Sequence, residues 1–450
     1  MSAAPVRMVP DNPLDHAPMR PRQIMVLVLA VLLAALDGYD ALSMAFVAPV
    51  LGRDWHIGKD VIGMLLASSL VGMAVGAIAL SPIADRLGRR AVVLGAIAIL
   101  AMGTGLSSQA GSVAVMAASR VLTGIGIGVM VSMTTLISAE FTNIRRRSLA
   151  VAAVATLGFP LGGVLGGLGS AAILRTASWH WVFLTGSICA AVLFVAIALA
   201  LPESPAFIIA RRKPDALDGV NRVLAGLGQP GIAALPSRAD LAGANYGALF
   251  APGLVGIVLR LMGVAILIAT TSYYILNWMP QMVVDAGFTP AQGSMASAMT
   301  GAIGFVGGVG FASFASRFSP NRVAAAAMTG AALALATFGL VPPVLWLFIL
   351  AGGVLSFCLA GTTGLLYAIM ADSFPAALRA SAMGLVMGSA RIASASGPAI
   401  AGAMFAHGMT RAGVSLIFAA GPLIAAAIIG SFQHRPYQPA APASAGRQEL

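Results

Sequence analysis

The chain is short of charge. Only 9% of its 450 residues are Asp, Glu, Lys or Arg, and acids are the scarcer sign, 15 against 26. A soluble domain of this length needs far more charge to wet its surface, so the composition excludes a water-soluble protein. Cysteine is almost absent: Cys189 and Cys358 both fall in apolar segments, which suggests neither a disulfide framework nor a metal site. The five histidines show no metal-ligand spacing, and His56, His180 and His407 fall near the ends of apolar runs. No nucleophile–base constellation points to an enzyme, and no phosphate-binding loop or other cofactor motif is visible. The formal charge of +11 sits in short loops between apolar runs, which assigns it to topology and not to nucleic acid.

What the sequence has in quantity is apolar length, with 59% hydrophobic residues. Runs long enough to span a bilayer, about 20 residues each, are expected at 24–50, 61–82, 91–109, 113–139, 149–173, 179–201, 253–282, 291–314, 322–341, 343–371, 381–407 and 411–432. The expectation is an all-α membrane protein with twelve transmembrane helices. A polar stretch containing "ARRKPDALDG" separates two sets of six. The units are 1–23 (tail), 24–201 (first bundle), 202–252 (central loop), 253–432 (second bundle) and 433–450 (tail). With both termini cytoplasmic, the outer loops hold only Arg53, Lys59, Arg175 and Arg411, and nearly all other loop Lys and Arg are inside. The first run is too long for a signal-peptide core and is read as a retained helix.

The halves echo each other. Glu140 is followed by Arg147 in "AEFTNIRRRS", and Asp372 by Arg379 in "ADSFPAALRA", 232 residues later. "DRLGRR" and "SRFSPNR", and Pro49 and Pro280, recur at an offset of 231. A duplicated six-helix unit is a transporter layout.

Two acids interrupt the first run in "LDGYDALSMAF": Asp37 and Asp40, three apart and on one helix face. An ionised carboxylate at membrane depth is costly unless paired or wet. The functional reading is a proton-coupling pair facing a cavity; the bland one is a static pair satisfied by neighbouring helices. Gly38, between them, fits either close helix packing or a binding role. Arg120 lies about 10 Å into the fourth run from its outer end, and Asp40 about 24 Å into the first from its inner end, so their depths agree. Arg120 can pair with Asp40 or receive an anion. Arg391, about 15 Å into the eleventh run, has no acid in its own helix and reads as an anion site.

These residues carry a family resemblance over 23–432. "SPIADRLGRR", "RVLTGIGIG" with "AEFTNIRRR", and "PESPAF" resemble signatures of the major facilitator superfamily, with Ser81, Ser316 and His180 standing where other residues are usual. "LDGYD" and "ILNWMP" resemble its aromatic acid:proton symporters. The resemblance implies two pseudo-symmetric six-helix bundles and proton-coupled import of an aromatic carboxylate across a bacterial-type inner membrane by alternating access, by a monomer with no cofactor. A sugar or other organic-anion symporter is the alternative; an exporter is suggested by "GFPLGG", a near-miss of an antiporter signature. The family's first, fourth, seventh and tenth helices line its cavity. That brings forward Tyr39, Asn277, Trp278 and Tyr367 as substrate contacts beside Arg120 and Arg391, with Tyr273 and Tyr274 behind them. Asp85, Arg86, Arg89, Arg90, Glu140, Arg147, Asp372 and Arg379 are expected to form an inner latch.

Overall fold

A computed structural model describes residues 12–80, 83–235, 246–251, 254–315 and 318–431. The C-terminal tail, the start of the N-terminal one, and Ser81 and Ser316 of the repeated motifs lie outside the described residues. Every regular element among the described residues is helical. The first half comprises α1 (Pro21–Asp54), α2 (Lys59–Val75) running on into a π-helical turn (Gly76–Leu80), α3 (Ala84–Leu87), α4 (Arg89–Ser107), α5 (Val113–Glu140), α6 (Arg147–Thr176) and α7 (His180–Ala200). Two short helices, α8 (Pro205–Arg211) and α9 (Ala216–Leu227), belong to the connecting segment. The second half comprises α10 (Val255–Asp285), α11 (Pro290–Ala315), α12 (Pro320–Leu340), α13 (Leu345–Ser373), α14 (Ala376–Ser394), α15 (Ser396–Ala406) and α16 (Arg411–Gly430).

Ten of these helices are individually long and apolar enough to cross a membrane. The two remaining expected spans fall on α11 and on the pair α14–α15. The second coincides with the expected span over 381–407, interrupted at one residue that stays in the right-handed helical region. The chain breaks at Ala395 within "SASG". There the Ser394 hydroxyl donates to the Arg391 carbonyl and the Ser396 hydroxyl to that of Ala393, each at 2.6 Å. Serine hydroxyls that turn back on nearby carbonyls compete with the helical ladder.

Large apolar side chains face outward along the spans, among them Leu199, Leu149 and Val192. That is the surface lipid requires. Small residues bring the helices together. A Cβ on Gly38 would collide with the backbone carbonyl of Phe159, and one on Gly162 with that of Ala35, so α1 and α6 pack backbone to backbone. "GFPLGG" therefore forms part of the α1 contact face. In "GIGIG", Gly124 and Gly128 face α2 while Gly126 faces α4.

Call the end where α1 begins the near end and the opposite one the far end. One hydrophobic cluster is built from the first half and the connecting segment, with Leu29, Val93, Ile97, Met133 and Leu224, and Tyr273 and Ala395 of the second half pack against it. The other runs through both halves, joining Leu51, Ile62 and Trp179 to Trp278, Met282 and Leu335. These shared members cluster toward the far end, so the two halves share their core there. Gly63 meets Gly402 across that seam, and Lys59 Nζ pairs with Asp285 Oδ2 at 2.7 Å. Among the described residues no ion pair joins the halves at the near end. The halves are thus held together at the far end by apolar packing, a glycine contact and an ion pair.

Candidate functional site

The two acids of α1 have different surroundings. Asp40 is fully buried. Arg120 of α5, also fully buried, forks onto it: Nη2 lies 2.9 Å from Oδ2 and Nη1 3.2 Å from Oδ1. Nη2 also donates to the Asp40 carbonyl at 2.7 Å. The Thr104 hydroxyl of α4 donates to Oδ1 at 2.8 Å, and the Ser43 hydroxyl to the backbone carbonyl at 2.7 Å. Phe183 of α7 lies under the guanidinium, 5.5 Å from its centre. A planar guanidinium meets a carboxylate through two parallel bonds. The pair is thus a closed unit held by four helices of the first half, with only Arg120 Nε lacking a partner.

Asp37, one turn earlier, is 4% exposed, and no donor reaches its Oδ1. Arg391, on α14 in the other half, is close enough to interact with it electrostatically. Arg391 is half-buried and sits just before the break at Ala395. Tyr273 of α10, also half-buried, interacts electrostatically with both Asp37 and Arg391. The boundary between the halves therefore gathers a buried acid with a free oxygen, a cation and a phenol.

The other sequence candidates are distributed as follows. Asn277 is buried one turn from Tyr273 and donates to its carbonyl at 2.9 Å. Trp278 is fully buried, with Nε1 donating to the Pro398 carbonyl at 3.0 Å and its ring 4.8 Å from that of Phe405. Tyr274 stacks on Phe418 at 4.2 Å. Tyr39 is wedged between α6 and α7 against Gly166 and Gly186, its hydroxyl donating to the Val182 carbonyl at 2.6 Å. Tyr367 is 45% exposed on α13. Asp37, Arg391 and Tyr273 thus share the boundary, while Asn277 bonds within its own helix and Tyr39 and Trp278 are engaged in helix packing.

At the near end, Arg89 Nη1 lies 3.0 Å from Asp85 Oδ1 and Nη2 lies 3.2 Å from Glu140 Oε1. Glu203 of "PESPAF" accepts from the backbone N–H of Arg89 at 2.8 Å and of Arg90 at 3.3 Å, an acid at a helix N-terminus. Arg90 also donates to the Ala198 carbonyl at 2.5 Å. Arg86 is exposed, and its carbonyl accepts from Arg211 at 2.9 Å. Arg147 pairs with Asp15. Asp372 and Arg379 are exposed, and among the described residues neither forms an ion pair.

Sequence reading missed Thr104, Phe183, Glu203, Asp15 and the Lys59–Asp285 pair. Glu203 had a usable signal, an acid just before a Ser-Pro helix start, and so did Asp285, an acid closing an apolar run. Thr104 and Phe183 carry none, since nothing in their neighbourhoods marks them off from packing residues.

The model of the Major Facilitator Superfamily matches residues 27–344 and 261–449. The chain belongs to this superfamily: it is a multi-pass inner-membrane transport protein and not an enzyme. Among curated relatives, it is 29% identical to the gallate transporter of Pseudomonas putida, over 90% of each chain. It is 29% identical to the 4-hydroxybenzoate transporter PcaK of Pseudomonas aeruginosa, over 69% of this chain and 70% of that one. Among solved structures, the inward-open conformation of the xylose transporter XylE from E. coli superposes with a TM-score of 0.71 at 17% identity, covering 92% of this chain and 96% of that one.

Proposed function

We propose that the protein is a proton-coupled symporter that imports an aromatic carboxylate by alternating access, through twelve crossings with both termini in the cytoplasm. The twelve are the ten apolar spans together with α11, 26 residues or roughly 39 Å long, and the broken pair α14–α15. The two bundles of 24–201 and 253–432 are the rocking bodies, and the near end faces the cytoplasm, in keeping with its basic loops. The printed names of the relatives, gallate and 4-hydroxybenzoate transporters, support an aromatic acid as cargo.

The observation that carries the reading is the free oxygen of Asp37 at the boundary with Arg391. Asp40 and Arg120 have spent their bonds on each other, so they hold the α1–α5 frame. Asp37 has an acceptor to offer a proton, and Arg391 has a charge to offer a carboxylate. With the far end open, a proton arrives at Asp37 and the substrate carboxylate at Arg391, while Tyr273 and Asn277 supply polar contacts beside the ring. With both loads aboard the halves rock, Lys59 meets Asp285 and the far end closes. The near end then opens, and substrate and proton leave inward. The inward proton gradient gives the direction.

The test is uptake into proteoliposomes with acid outside, using labelled gallate, 4-hydroxybenzoate, benzoate and xylose. Accumulation of an aromatic acid that collapses with a protonophore is the expected result. Accumulation of xylose alone, or of an aromatic acid untouched by the protonophore, contradicts the reading.

A further inference from the structure

The segment preceding α1 is built into the near end. Leu14 is fully buried and joins the core cluster of the first half. The Asn12 amide donates to the Glu140 carbonyl at 2.6 Å. Ile144 N–H donates to the Asp15 carbonyl at 2.9 Å, and the Asn143 amide to the Ala17 carbonyl at 3.2 Å. The Asp15 carboxylate pairs with Arg147, with side-chain exposures of 12% and 22%. On its other flank, the Gln229 amide donates to the Pro18 carbonyl at 2.6 Å, and Arg22 donates to the Gly226 carbonyl. Residues 12–20 thus tie three pieces together: the start of α1, the α5–α6 turn, and the end of α9 in the segment that connects the halves.

This arrangement breaks the repeat. Glu140 and Arg147 correspond to Asp372 and Arg379 in the second half. Arg147 has a partner in Asp15, and Arg379 is exposed with no acid paired to it among the described residues. The position 231 residues after Asp15 is Tyr246, which offers no carboxylate. The acid on Arg147 therefore belongs to the strap alone. It occupies the basic residue that the sequence marks as a latch element, in a structure whose near end carries no ion pair between the halves among the described residues.

We propose that residues 12–20 are a strap that holds Arg147 and the α5–α6 turn on the first half while the near end is open, so that near-end closure requires Arg147 to leave Asp15. The strap opposes closure and biases the resting transporter toward the near-end-open state. The inference rests on the alternating-access part of the proposed function. Its readout needs neither a proton nor an aromatic substrate, so the two fail separately.

The experiment is a distance measurement by pulsed electron resonance on the full chain in lipid nanodiscs. Spin labels go on Leu149→Cys and Phe318→Cys, both exposed, in a Cys189→Ser/Cys358→Ser background. Asp15→Asn is expected to raise the short-distance population about threefold, the effect of losing one partly exposed pair. Asn143→Ala, which cuts the strap without touching charge, is expected to shift it the same way. The exchange Asp15→Arg/Arg147→Asp is expected to restore the parent distribution. A distribution unchanged by both Asp15→Asn and Asn143→Ala overturns the strap. A shift that the charge exchange leaves in place overturns the role of the ion pair.

Discussion

Asp37 and Asp40 share a helix, a face and a residue type, and differ in everything around them. The region around Asp40 lies inside one half, where α1, α4, α5 and α7 meet, and every acceptor of the carboxylate is used. The region around Asp37 lies between the halves, where an oxygen is left over and Arg391 of the other half interacts with the acid electrostatically. The proposed mechanism accordingly assigns coupling to the acid at the seam between the halves, and leaves the fully paired acid to hold the first half together.

The largest expected effect separates the two regions by stability. Arg120→Ala or Asp40→Ala leaves an unpaired buried charge and is expected to cost about 3–5 kcal/mol, while the double change Asp40→Leu/Arg120→Met recovers much of it. Thermal unfolding in detergent reads both. Asp37→Asn, on the same measurement, is expected to leave the melting temperature nearly unchanged. Equal losses for Asp37→Asn and Asp40→Ala would erase the contrast.

Next is Arg391, the cation facing Asp37. Arg391→Gln is expected to raise KM for the aromatic acid about 10- to 100-fold, the worth of a charge-assisted hydrogen bond, with little change in melting temperature. Arg120→Gln is expected to act through stability. A KM effect confined to Arg120 would exchange their roles.

The smallest effect is expected at the far end, where Lys59 and Asp285 are each more than a third exposed. A pair in that position is worth about 0–1 kcal/mol and is screened by salt. Lys59→Gln is expected to raise alkylation of a cysteine at buried Ser294 only a few-fold, and less so at high salt. A tenfold effect would mean that the exposed pair carries the far-end closure, which the account assigns to the shared apolar core and the Gly63–Gly402 contact.

Much of this architecture is legible in the sequence, because lipid imposes a one-dimensional rule on it. Ten apolar spans recur at readable intervals, and the glycine runs mark helix contacts as expected. The equal depths of Asp40 and Arg120 anticipate their pairing. The break at Ala395 is not legible, because "SASG" differs little from other small-residue stretches that remain helical. Nor is the division of labour between the acids, since Asp37 and Asp40 look alike until Thr104 and Arg120 are placed around only one of them. Nor is the setting of Tyr39, since adjacency to an acid along a helix says nothing about direction, and its ring fills a groove made by Gly166 and Gly186.

The most direct test of the central claim compares two modes of transport in one variant. Asp37→Asn is reconstituted in proteoliposomes and assayed for gradient-driven accumulation and for exchange of labelled against unlabelled substrate. The account predicts that exchange persists while accumulation disappears, because the site still binds and moves its cargo but no longer carries the proton. Accumulation at the parent level would contradict it and place the proton on another group.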